Sequence, residues 1–195
     1  MLLKKLVCIG LPLFLSTAAI AGIQSGAESS QSEAESSQVE DQLSRSFSVL
    51  NAAVQGAINV SNLAAENASS ELVKEYARSV ASGNAELLER LREIAAENSV
   101  AIVAVDPQTE AGKSLIARLE AEKTMLSTLK GDAFDKEYMT LVTNAQQSVI
   151  KFAEVRIATA KSERVKEFFT NLKTLATGRN TIAQGILEKV YGDEL

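Results

Sequence analysis

The sequence predicts an all-α fold: two long helical hairpins joined by a crossover that contains a further helix. Three observations carry this. Proline and glycine are scarce, two and ten in 195 residues, which disfavours a turn-rich sheet protein. From Gln42 onward, apolar residues recur with the 3.6-residue period of a helix that buries one face. Short polar breaks separate the long periodic stretches, and short connections make antiparallel neighbours.

The first helix is expected over 42–67, with Phe47, Leu50, Val54, Ala57, Ser61 and Ala64 on its inward stripe. Asn67-Ala68-Ser69-Ser70 breaks it, and a serine there can cap the next helix, with Glu71 in the favourable first turn. That second helix runs to about 97 and presents Val73, Tyr76, Val80, Asn84, Leu87, Leu91 and Ile94. Asn84 falls in the middle of an apolar stripe, where a buried amide requires partners.

Residues 99–107, SVAIVAVDP, form a short β-branched passage with no second strand to pair with, so an extended crossover along the bundle is expected. Asp106 then caps a helix with Pro107 at its first position, running to Leu129, and Lys130-Gly131 stops it. The fourth helix opens at Asp132 and runs to about 160 on Phe134, Tyr138, Val142, Ala145, Val149 and Phe152. Asp132 and Asp135 are explained by capping and by the preference of first turns for acids. Lys161-Ser162 is the next break. The last helix, over 163–190, presents Val165, Phe168 or Phe169, Leu172, Leu175, Ile182, Ile186 and Val190, with Gly178 inside it. An internal glycine costs about 1 kcal/mol against alanine, which suggests a close packing partner or a kink.

An internal echo supports the topology. Ser70-Glu71-Leu72-Val73-Lys74-Glu75-Tyr76 opens the second helix and Ser162-Glu163-Arg164-Val165-Lys166-Glu167-Phe168 the last, 92 residues on. The hairpins are therefore 42–97 and 132–190, and the connection is 98–131. This is the connectivity of a ferritin-like four-helix bundle with one long crossover.

The N-terminal region reads differently. Met1 to Lys5 carries two lysines, Leu6 to Ala21 is apolar apart from Ser16 and Thr17, and Ala19-Ile20-Ala21 is a small-x-small cleavage pattern. A signal peptide over 1–21 is expected, with Gly22 the first mature residue. Its apolar run, broken by Pro12, is too short for a stable transmembrane span. Removal takes Lys4, Lys5 and the sole cysteine, Cys8, so the net charge falls from −5 to −7. A thiol-free product suits an oxidising, secreted or periplasmic space. Residues 22–41, rich in Ser and Glu and without an apolar period, are expected to be a disordered tether, and 191–195 a short C-terminal tail.

Composition excludes much chemistry. The chain has no histidine, so a Ser-His-Asp triad, a Cys-His pair, an HExxH zinc site and an ExxH di-iron site are all impossible. The acidic balance leaves no basic stripe for nucleic acid. Tyr76 and Tyr138 are expected to pack with their hydroxyls bonded, and Arg156 and Arg179 to snorkel at the bundle edge. No cofactor, metal or catalytic residue is expected.

The segments Phe47, Ala52-Ala53 and Leu63-Ala64, Val73-Lys74-Glu75-Tyr76-Ala77, Leu129-Lys130-Gly131-Asp132-Ala133-Phe134-Asp135-Lys136-Glu137-Tyr138-Met139 and Val165-Lys166-Glu167-Phe168 resemble the DUF4142 family. The most specific piece is Gly131 to Met139, close to a G-x-x-F-D-x-x-Y-[ML] pattern. The resemblance spans roughly 45–189 and implies an exported or envelope-associated bacterial protein with a ferritin-like fold. Relatives usually carry histidine in three helices. By this resemblance the corresponding places here are Asn84, Ala145 and Gly178, a vacated site. The expectation is a non-catalytic exported bundle acting by interaction or structure in the cell envelope, with an envelope protein as partner. The alternatives are an enzyme restricted to carboxylate, lysine or tyrosine chemistry, and a carrier of a small ligand or lipid between the hairpins.

Overall fold

The structure, a computed structural model, describes residues 28–192, with side chains placed from Asp41 onward. The expected export signal lies outside the described residues. Five helices follow one another: α1 (Glu28–Asn67), α2 (Glu71–Glu97), α3 (Glu110–Thr128), α4 (Gly131–Thr159) and α5 (Glu163–Tyr191). Among the described residues there is no strand, and 100–106 has no regular secondary structure.

α1 with α2 and α4 with α5 form the two antiparallel hairpins, packed together chiefly through α2 against α5, while α3 lies across α1 and α4. The echo extends to the boundaries. α1 ends at Asn67 and α4 at Thr159, and α2 starts at Glu71 and α5 at Glu163, each pair 92 residues apart.

The largest departure is at the start of α1. The stretch expected as a tether is helical from Glu28, because alanine, glutamate and glutamine extend a helix already nucleated downstream. α3 also starts later than expected. Thr109 is its cap, accepting from the Gly112 N–H at 3.1 Å, while Asp106 closes a turn by accepting from the Gln108 N–H at 2.8 Å. At the other end, Tyr191 belongs to α5 rather than to a tail.

Two apolar clusters fill the bundle. One holds Phe47, Leu50, Leu91, Ile94, Val165 and Phe169, with four phenylalanines in edge and tilted contacts at ring separations of 5.2 to 6.0 Å. The other holds Val60, Val73, Tyr76, Phe134, Tyr138 and Met139. Side chains at the junction between them are polar.

The inward faces of α4 and α5 run one residue ahead of expectation in their second halves. Gln146, Ala176 and Ala183 are buried, whereas Ala145 and Leu175 face water and Ile182 is 57 % exposed. The buried path steps by four residues, Val142 to Gln146 and Leu172 to Ala176, where the expected stripe stepped by three; both spacings lie on one helix face.

Candidate functional site

The motif at the start of α4 places its residues at one end of the bundle. Phe134 and Tyr138 enter the apolar core, and Asp135, between them, is fully buried. A buried carboxylate requires donors, and four reach it. The Ser69 N–H donates to Oδ1 at 2.9 Å and the Ser70 N–H to Oδ2 at 2.7 Å. The Ser69 hydroxyl at 2.8 Å and the Tyr191 hydroxyl at 3.0 Å complete the set on Oδ2.

Ser70 is the N-cap residue of α2 but its own side chain makes no capping bond. The negative charge that a helix start favours comes instead from the other hairpin, through Asp135. The same carboxylate holds the last turn of α5 through Tyr191, whose ring also lies under the Lys136 ammonium at 5.0 Å. Burial, reinforced by Asp135, pushes the Tyr191 phenol well above its ordinary pKa, so it remains a donor.

A second polar group lies between the two apolar clusters. Asn84, 5 % exposed, accepts from Arg179 Nη1 at 2.6 Å. Arg179 is half-buried, and burial draws its pKa down from the ordinary arginine value. The space it occupies depends on Gly83, because a Cβ there would lie 2.3 Å from Arg179 Nη2. Tyr76 donates to the Arg179 carbonyl at 3.2 Å, and burial raises its pKa to about 12, opposed by the nearby guanidinium. Tyr138 donates to Ser61 Oγ at 3.1 Å, and burial raises its pKa further still. Asn180 Oδ1 and Arg156 Nε are buried without a partner.

Of the three expected site positions, Asn84 alone is inside. Ala145 and Gly178 are exposed, and a Cβ added at Gly178 would meet nothing within 4 Å. The next residues, Gln146 and Arg179, are the ones turned towards the interior. Gly178 therefore has no close packing partner. Arg179 does not snorkel freely either, since its guanidinium holds Asn84.

Sequence reasoning missed Asp135, Tyr191 and Arg179. For Asp135 a signal existed: its counterpart 92 residues earlier in the echo is Leu43, an apolar residue, so one of the two positions must break the pattern. Among the described residues, no group of three or more His, Cys, Asp or Glu is placed to hold a metal ion.

The profile of the family described as "Domain of unknown function (DUF4142)" matches residues 28–184. No curated protein matches the chain. Among solved structures, the chain is similar to the crystal structure of a DUF305 protein from Streptomyces coelicolor, with a TM-score of 0.62 and 16% sequence identity. The similarity covers 75% of this chain and 93% of that one, and it shows a shared helical fold.

Proposed function

The chain belongs to the DUF4142 family, a family of unknown function, and on that premise we propose that it is a non-catalytic exported helical bundle acting by interaction or structure in the bacterial cell envelope. One observation carries this reading. The polar groups of the interior are engaged mainly with one another, in bonds that join helices. Asp135 links α4 to the start of α2 and the end of α5, Arg179 links α5 to α2, and Tyr138 links α4 to α1.

Asp135, the carboxylate that does pair with hydroxyls, is fully buried. Tyr76 and Tyr138 are held neutral by burial, and no general base is paired with either. Export is supported by the Ala19-Ile20-Ala21 pattern and by the assignment of the DUF305 relative as a secreted protein. No helix among the described residues is long and apolar enough to cross a membrane.

The experiment is made in the native host. Mass spectrometry of the envelope fraction should find an N-terminus at Gly22, and a photo-crosslinker at the exposed Ile182 or Val103 should give one discrete protein adduct. An intact Met1 in the cytoplasm, or stoichiometric iron, manganese or zinc retained through chelation, contradicts this reading.

A further inference from the structure

The end of the bundle opposite Asp135 carries a cleft of about 170 Å³ between α1, the start of the crossover and the α4–α5 turn. Its apolar wall is Leu43, Val100, Val165 and Phe169. Arg156, Lys161 and Ser162 line its polar side. The Arg156 guanidinium lies over the Phe152 ring, its carbon 5.4 Å from the ring centroid. Its Nε is buried with no hydrogen-bond partner, and no carboxylate pairs with it among the described residues. Burial lowers its pKa, with no acid nearby to oppose the effect. An unpaired, partly desolvated guanidinium in an apolar cleft is costly unless an anion joins it.

The internal echo identifies the kind of anion. Shifted by 92 residues, Ser69 and Ser70 become Lys161 and Ser162, Val73 becomes Val165, and Asp135 becomes Leu43. All four counterparts line the cleft. At the closed end, a carboxylate of the chain itself takes the Ser69 and Ser70 N–H groups. At the open end, the N–H groups of Lys161 and Ser162 have no partner among the described residues, and Ser162 makes no side-chain cap for α5. The carboxylate is missing, and a cleft with an unpaired arginine is present instead.

We propose that this cleft binds a small organic monocarboxylate with a short apolar body. The ligand's carboxylate takes the place that Asp135 holds at the other end, on the Lys161 and Ser162 N–H groups, with the Arg156 guanidinium as its counter-charge. The apolar body lies on Val100, Val165 and Phe169. Binding orders the start of α5 against α1, as Asp135 orders the start of α2 against α4. The site is independent of the functional reading above and uses none of the residues that carry it.

The test is a titration of the full chain with benzoate and with hexanoate, followed by amide shifts at Lys161, Ser162 and Val165. Benzyl alcohol and inorganic phosphate serve as probes lacking one half of the chemistry. Both carboxylates should bind at millimolar concentration or tighter, and neither control should. Arg156→Gln should weaken benzoate by about tenfold or more. Leu43→Asp, which supplies the missing carboxylate from within, should abolish binding and raise the Tm. Arg156→Gln keeps the proposal falsifiable if Leu43→Asp does not fold. Absence of binding by both carboxylates, equal binding of benzyl alcohol or phosphate, or unchanged affinity in Arg156→Gln would overturn it.

Discussion

The two ends of this bundle are built on the same plan and finished differently. At each, a short turn leads from one long helix into the next, with a serine as the N-cap residue that makes no side-chain bond of its own. At one end, Asp135 reaches across from the other hairpin, and Tyr191 closes over it. At the other, the equivalent position is Leu43, and a cleft with an unpaired arginine remains. The difference teaches that a helix start can be capped from outside its own segment. The residue that does so is then a tertiary lock as much as a helix cap.

The largest effect expected to separate the ends is alkaline. All three tyrosines of the chain lie towards the closed end, and each has its pKa raised by burial. The folded state keeps the neutral phenol while an unfolded tyrosine ionises near pH 10. This stability is therefore complete below pH 10 and is lost as the pH rises towards 12. Tyr76 and Tyr138 each remove up to about 1.4 kcal/mol per pH unit in that window. Tyrosinate absorbance should stay low until unfolding and then rise cooperatively. A gradual rise from pH 10, in step with free tyrosine, breaks the comparison.

Next comes Asp135→Ala, expected to destabilise by about 3 kcal/mol, since several donors lose a charged acceptor in a buried site. Leu43→Ala at the matching position of the open end should cost only about 1 kcal/mol, from lost apolar contact. Urea unfolding measures both, and equal costs would remove the distinction between the ends. Asn84→Leu, in the layer between them, should cost about 1–2 kcal/mol, because the Arg179 guanidinium loses its acceptor. A neutral outcome there would mean that Arg179 finds solvent as good a partner. The smallest effect is a gain. Gly178→Ala should stabilise by about 0.5–1 kcal/mol, as the glycine is helical, exposed and free of neighbours.

The fold was legible because it rests on local signals. Helix period, polar breaks and the 92-residue echo are all written within a few turns of chain, and they place all five helices, with the starts of α1 and α3 the exceptions. Two kinds of information were not local. Asp135 was expected as a first-turn acid, but α4 starts at Gly131 and only Asp132 lies in its first turn; nothing in this segment marks Asp135 as the partner of the Ser70 N–H, 65 residues away. Gln146 and Arg179 lie one position beyond the expected inward residues, Ala145 and Gly178, because a helix face continues by three or by four residues and the buried path takes the four-residue step at Val142 to Gln146 and at Leu172 to Ala176. The start of α1 at Glu28 shows a third limit. Low hydrophobicity argues against burial, and it does not argue against a helix that continues one already formed.

The contrast between the two ends is tested most directly by amide hydrogen exchange read residue by residue. The Ser69 and Ser70 amides, bonded to the Asp135 carboxylate, should be strongly protected and should lose that protection in Asp135→Asn. The Lys161 and Ser162 amides, at the matching places in the open turn, should exchange quickly in the same sample. Similar protection at both turns, or protection at Ser69 and Ser70 that survives Asp135→Asn, would contradict the account.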